Sequence, residues 1–186
     1  MALAPWRSAI ARSLHLNRSL PESRYFQLAT ITPQGFPTNR TVVFRGFQDH
    51  TNSLQIITDA RSEKVSHLQQ HPQAEICWYF TKSREQFRFH GEISLITADA
   101  PSEVRKTLWE QISENARLQF IWPHPKAPRT PDPFPDTPPS TIPDTFVVLL
   151  FSPQNVDYLS LKGNPQHRYL YKLDNAGNWS MSEVNP

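Results

Sequence analysis

The chain has 186 residues, of which 19 are basic and 17 acidic, so its formal net charge is +2. This length suits one domain with its own core, and so small a charge does not indicate a nucleic-acid or membrane partner. The single cysteine, Cys77, excludes an intrachain disulfide and favours a reducing compartment. No segment approaches the roughly 20 apolar residues that cross a bilayer, and the amino terminus lacks a signal-peptide pattern. We therefore expect a cytoplasmic protein.

The first half of the chain predicts a short helix followed by strands. Trp6, Ile10 and Leu14 form an apolar stripe at a spacing of four, which predicts an amphipathic helix. A Pro-Gln-Gly turn at 33–35 predicts a hairpin, and a second helix is predicted over 62–71. β-Branched and aromatic residues predict strands over 25–32, 38–47, 54–58, 74–80 and 86–96.

A proline-rich segment divides the second half. Asp99 and Pro101 open a predicted helix, which a further helical stretch continues to Trp122. From 123 to 143, nine of 21 residues are proline, which predicts a long extended loop. A linker between two domains is the alternative, but the roughly 40 residues that follow are too few for a second core. They predict strands over 145–151, 156–161 and 168–173, then a turn and a last short run at Trp179.

Six to eight short strands with a few helices between them predict a mainly β (α+β) fold. The strands follow one another as hairpins instead of alternating with helices, which favours an antiparallel barrel with flanking helices. We expect one domain over 1–186, with the proline-rich loop inside it.

Three patches of basic and hydroxyl residues lie at strand ends or turns, where they could converge on one anion. In the first, over 39–45, Arg40 and Arg45 could bracket a phosphate. The second, over 58–64, joins a strand to a helix amino terminus and contains Arg61, Ser62 and Lys64, while the third is the strand 84–90. Each patch alone also fits a solvated strand edge, and Ser62 also fits a helix cap.

Other chemistries lack their signatures. The seven histidines show no metal-ligand spacing, so we expect no metal site. The five glycines are too widely separated for a phosphate loop or a dinucleotide fingerprint. A Gly-x-Ser-x-Gly nucleophile motif is also missing from the sequence.

In their order along the chain, the three patches resemble the flavin site of the pyridoxamine 5'-phosphate oxidase family. The family's Arg-x-Val-x-x-Lys strand is similar to residues 40–45. Its aromatic-Thr pair and Ser-Arg-Lys turn are similar to Ile57-Thr58 and Ser62-Glu63-Lys64, where Glu63 departs from the family's arginine and Arg61 could supply the missing charge. The family's flavin-contacting glutamine corresponds to Gln86, and its late Trp-Gln-Gly and arginine resemble Tyr158 and Arg168.

The resemblance implies an antiparallel split β-barrel that binds FMN. The residues it implies for the cofactor are Arg40, Thr41, Val42, Val43, Arg45, Ile57, Thr58, Arg61, Ser62, Lys64, Gln86 and Arg168. It also implies a homodimer that builds its two flavin sites at the interface. Trp78, Tyr79 and Trp109 would then lie in that interface, or alternatively in the barrel core.

The substrate residues of the family are less well matched. True oxidases carry Tyr, Arg and Ser on the helix before the loop and an Arg-x-His near the end, whereas this chain has 108–113 on the helix and later Asn164 and Gln166. We expect an FMN-dependent oxidoreductase that oxidises an amine or alcohol by hydride transfer to FMN, which oxygen reoxidises. The alternatives are an FMN-binding or sequestering protein without that activity, and a heme-handling relative with His90 as ligand.

Overall fold

The computed structural model describes residues 3–99 and 102–186. The helices in this part of the chain are α1 (Trp6–Leu16), α2 (Glu63–Gln70), α3 (Glu103–Gln111) and α4 (Glu114–Leu118). The strands are β1 (Tyr25–Ile31), β2 (Pro37–Val43), β3 (Gly46–Phe47), β4 (Leu54–Asp59), β5 (Gln73–Phe80), β6 (Glu85–Ile96), β7 (Phe146–Ser160), β8 (His167–Leu173) and β9 (Trp179–Val184). None of these helices is long and apolar enough to span a membrane.

The strands form one antiparallel sheet that branches at β7. Its order is β2-β1-β5-β6-β7-β4-β3, with β8 added to β7 and β9 added to β8. The first part of β7 pairs with β4, and its last six residues pair with β8. The predicted mainly antiparallel β fold is therefore confirmed.

Alternation of apolar and polar residues builds the barrel core. In β6, Phe87 and Phe89 are fully buried, whereas Arg88 and His90, which alternate with them, are exposed. Trp6 of α1 closes the core from one end, with its ring 5.3 Å from that of Phe89 and 5.8 Å from that of Trp179. Each such side chain contributes about 1.5–3 kcal/mol by leaving water, so α1 is an integral part of the barrel.

A second, smaller core lies on the other face of β7. Trp109 of α3 packs edge-on against Phe146 at 5.0 Å, and Phe120 packs against the same ring at 4.9 Å. Both faces of β7 are thus buried along its first residues. Of the aromatics predicted for either a core or an interface, Trp78 and Trp109 lie in the chain's own cores, whereas Tyr79 is 41% exposed.

Several predicted boundaries were wrong. The predicted strands 145–151 and 156–161 are one strand, because Pro153 sits beside a register shift at His90/Gly91 that accommodates it. The predicted strand 38–47 is broken between β2 and β3, and the stretch to Trp122 consists of α4 and a short 3-10 turn. The predicted start at Pro101 lies outside the described residues.

Residues 123–143, all of them described, contain neither helix nor strand, as the prolines predict. Aromatic contacts give this loop local order, since Trp122 and Phe134 lie 5.3 Å apart and Arg129 lies over the Phe134 ring at 4.1 Å. The single cysteine, Cys77 of β5, is half-buried.

Candidate functional site

A cleft of about 460 Å³ opens between β2, the end of β4, the start of α2 and the segment after α4. Eight of the predicted cofactor residues line it: Arg40, Thr41, Val42, Val43, Arg45, Ile57, Thr58 and Lys64. The opposite wall is aromatic and proline-rich: Phe120, Trp122, Pro123 and Pro125. The fold therefore brings Thr58 and Lys64 of the second sequence patch to the same cleft as the first patch.

Arg40 is held against the β1–β2 hairpin by neutral acceptors. Its Nη1 donates to the carbonyl oxygen of Leu28 at 3.0 Å and to Thr30 Oγ1 at 2.7 Å, and its Nη2 donates to Thr38 Oγ1 at 2.5 Å. Burial lowers the pKa of Arg40. Because these partners are uncharged, the guanidinium is oriented while its positive charge remains available to an anion.

Lys64 is the most desolvated cation of the cleft. Its Nζ donates to Thr58 Oγ1 at 2.9 Å and to Ser62 Oγ at 2.6 Å. Burial, with a smaller contribution from nearby Arg40, lowers the pKa of Lys64 to about 8. Ser62 occupies the N-cap position of α2, but its hydroxyl makes no capping hydrogen bond. The expected cap is thus absent, and Ser62 supports Lys64 instead.

Arg45 lines the cleft and contains a buried donor without a partner in the described part of the chain. Its Nε is buried and has no hydrogen-bond partner within residues 3–99 and 102–186. Burial, followed by repulsion from Arg24, lowers the pKa of Arg45. A buried donor without an acceptor is costly unless a ligand satisfies it. The cations Arg40, Arg45 and Lys64, together with the Thr58 hydroxyl, line one cleft and form a set of donors that fits the phosphate of FMN.

Arg61 and Ser62 line a neighbouring hollow of about 330 Å³ instead of the cleft. Arg61 donates to both carboxylate oxygens of Asp59, with Nε at 3.0 Å and Nη2 at 2.7 Å. Asp59 itself lines the cleft, so Arg61 neutralises the carboxylate in that wall. Glu63 pairs with Lys126 of the proline-rich loop at 2.5 Å, which lowers the pKa of Glu63.

Gln86 and Arg168 do not line the cleft. Strand pairing places Gln86 opposite Leu159 and Leu159 opposite Arg168, so the two polar side chains share one face about 10 Å apart. Both neighbours of Gln86 in β6 are buried, so this face is the outer one. Arg40, in contrast, lies opposite buried Leu28.

The outer face carries its own charges. Arg168 makes a two-bond contact with Asp157, and His90, the candidate heme ligand, is exposed on the same face. Within the described residues, no group of three His, Cys, Asp or Glu side chains is arranged to hold a metal ion.

Sequence reasoning missed the aromatic wall of the cleft and the role of Asp59. Phe120 and Trp122 follow α4 and belong to no recognisable sequence motif. Their proximity to β2 depends on the path of the chain after α4. The Asp59-Ala60-Arg61 spacing was a usable signal, since a carboxylate two residues before an arginine at a helix entry can pair with it.

Comparison with known proteins settles the family. The family model described as pyridoxamine 5'-phosphate oxidase, FMN-binding domain, matches residues 3–97. The chain belongs to this family. FMN is its cofactor, as the resemblance implied. Pyridoxine/pyridoxamine 5'-phosphate oxidase 2 of Arabidopsis thaliana is 36% identical over 195 residues, which cover 99% of this chain and 98% of the relative.

Solved structures of similar proteins confirm the split β-barrel. A pyridoxamine 5'-phosphate oxidase-related, FMN binding protein from Nostoc punctiforme is 49% identical, with a TM-score of 0.96 and full coverage of both chains. PhzG from Burkholderia lata, solved with tetrahydrophenazine-1-carboxylic acid, is 16% identical with a TM-score of 0.80, over 100% of this chain and 98% of that one. At that identity the likeness shows the fold alone.

Proposed function

We propose that this family member is an FMN-dependent oxidoreductase that accepts a hydride from an amine or alcohol and delivers the electrons to oxygen. The observation that carries the proposal is the cleft of about 460 Å³ that the cations Arg40, Arg45 and Lys64 line opposite an aromatic and proline-rich wall. FMN supplies the redox chemistry when bound. The full-length likeness to the Arabidopsis oxidase supports an oxidase as well.

The residues of the cleft would bind and orient the cofactor. Arg40, Arg45 and Lys64 would hold the phosphate by charge-assisted hydrogen bonds, and the Thr58 hydroxyl would complete the set. Val42, Val43 and Ile57 give the same cleft apolar surface. The aromatic wall would exclude water from the reacting atoms, which strengthens every electrostatic contact inside.

We further propose that the protein acts as a homodimer in the cytoplasm. Gln86 and Arg168 belong to the outer face, so they can meet a flavin only if a second copy brings that face to the cleft. Tyr79 and Leu170, which are 41% and 40% exposed, lie on this face and offer apolar surface for the contact. Tyr79→Asp with Leu170→Asp should yield a monomer in analytical ultracentrifugation and should also lose FMN. A variant that stays dimeric would contradict this interface.

A second candidate is an FMN-binding protein without pyridoxamine 5'-phosphate oxidase activity. Asn164 and Gln166, which stand where true oxidases carry Arg and His, are uncharged and lie in the loop between β7 and β8. Without those cations a phosphorylated substrate would be held less tightly.

The deciding experiment is a visible spectrum of protein loaded with FMN and desalted, followed by addition of pyridoxamine 5'-phosphate in air. Retained flavin with release of hydrogen peroxide supports the oxidase. Retained flavin without hydrogen peroxide supports the second candidate, provided that the peroxide electrode is sensitive enough to detect a single turnover. Loss of all flavin on desalting would contradict both.

A further inference from the structure

We propose that Asp157 is a positioning residue that orients Arg168 and cancels its charge where the outer face meets the flavin. The inference rests on the proposed function, in which Arg168 approaches FMN bound by a second copy. Arg168 Nε donates to Asp157 Oδ1 at 2.9 Å, and Arg168 Nη2 donates to Oδ2 at 2.6 Å. Two parallel bonds fix the plane of the guanidinium and leave its Nη1 group for a ligand.

The pair belongs to a longer chain of charges on the outer face. Arg88 Nη1 lies 3.9 Å from Asp157 Oδ2, and Arg88 also donates to Glu75 Oε1 at 2.8 Å and 2.6 Å. Strand pairing places Arg88 opposite Asp157, in the row next to that of Gln86 and Arg168. Two arginines therefore alternate with two carboxylates, and the formal charges of the four groups cancel.

Cancellation has an electrostatic consequence for a flavin beside Arg168. A positive group near the ring stabilises the added negative charge of the reduced flavin, whereas a carboxylate on the same guanidinium opposes that effect. The Asp157 side chain is 19% exposed and that of Arg168 32%, so solvent screens the pair only partly. We expect Asp157 to keep the flavin harder to reduce than an unpaired arginine would.

The test is the midpoint potential of FMN bound to the intact protein, with flavin binding and dimer formation as checks on folding. Asp157→Asn should raise the reduced-to-oxidised ratio at a fixed potential about tenfold, which is about 30 mV for a two-electron couple. Arg168→Gln should shift the ratio in the opposite direction, because Asp157 is then unbalanced. The double variant should lie within about threefold of the wild type, since both charges are gone.

Glu75→Gln is the matched control. The substitution removes one carboxylate from the same face but leaves the contact between Asp157 and Arg168. Because Glu75 lies farther from Arg168, the reduced-to-oxidised ratio should shift by less than about threefold. Equal shifts in Asp157→Asn and Glu75→Gln, or none in either, would overturn the inference while FMN binding stands. If Asp157→Asn does not fold, Asp157→Ser takes its place: a higher potential than that of the wild type supports the inference, and an unchanged one overturns it. A wild type that binds no FMN would overturn the proposed function first.

Discussion

Lys64 Nζ lies 2.9 Å from Thr58 Oγ1, so one ammonium group joins the end of β4 to the first turn of α2. The contact is made in a cleft that Arg40 and Arg45 also line. Burial lowers the pKa of Lys64 to about 8, so this amine loses its proton at a mildly alkaline pH.

Binding of FMN should weaken above the pKa of Lys64. The phosphate is a dianion above pH 7 because its second pKa is about 6, and it attracts the protonated amine, so binding raises the pKa of Lys64. Affinity is then full below about pH 8, and it falls by up to about tenfold for each pH unit above that. Quenching of flavin fluorescence between pH 7 and 9.5 measures the dissociation constant. Lys64→Arg keeps its charge and should remove the slope, and a flat wild-type profile would exclude Lys64 from the phosphate site.

Arg61 should act on FMN through Asp59. Arg61→Ala exposes the Asp59 carboxylate to the cleft and should weaken FMN binding about tenfold, the effect of about 1.4 kcal/mol of repulsion. Asp59→Asn together with Arg61→Ala removes the unpaired carboxylate and should restore the affinity to within about threefold. Isothermal titration of the three proteins gives the comparison. A double variant as weak as Arg61→Ala would show that Arg61 contacts the phosphate directly.

Glu85 should stabilise the fold through its hydrogen bonds to α1 and β7. It is 4% exposed and accepts from Ser13 Oγ at 2.7 Å, Arg12 Nη2 at 2.7 Å and Tyr158 Oη at 2.6 Å. Glu85→Gln should lower the free energy of unfolding at pH 7 by about 1–3 kcal/mol, measured by urea denaturation. Glu92→Gln, at an exposed position of the same strand, is the control and should change it by less than about 0.5 kcal/mol.

The Glu85 carboxylate should also make the free energy of unfolding depend on pH. Burial alone would raise the pKa of Glu85, but hydrogen bonds, that of Tyr158 first, outweigh it and lower the pKa. Because the pKa of Glu85 is lower in the folded state, its contribution to stability is complete above its pKa in the unfolded chain, which is about 4.3. The contribution is lost as the pH falls through the pKa of the folded state. The difference in unfolding free energy between wild type and Glu85→Gln should therefore shrink from pH 6 to pH 3. A constant difference would contradict the charged state of Glu85.

Gly91 should tolerate no side chain. A Cβ atom at this position would lie 2.1 Å from the carbonyl oxygen of Ser152, a backbone atom of the paired strand at the register shift. Gly91→Ala should cost about 3 kcal/mol of unfolding free energy, because β6 and β7 must separate to admit the methyl group. Urea denaturation measures it, with Ser94→Ala on the same strand as a control near zero. A Gly91→Ala variant as stable as the wild type would contradict the prediction, because β6 and β7 would then separate at little cost.

The local elements and the family can be predicted from the sequence. Alternating apolar residues in β1, β5 and β6 predict strands because their period of two is set by the pleat of each strand alone. The patch at Arg40 and Arg45 and the turn at Ser62 and Lys64 are short contiguous motifs, so they are legible before any folding is considered.

Which of these residues meet depends on the packing of the folded chain. Whether Arg61 points to the cleft or to Asp59 depends on side-chain packing at the turn. Phe120 and Trp122 reach the cleft because α3 packs on β7 and directs the chain that follows it. The position of Arg168 beside Asp157 follows from the register of β7 and β8, which long-range pairing sets. Contacts between distant segments arise from the packing of the whole core, and no local pattern of residues encodes them.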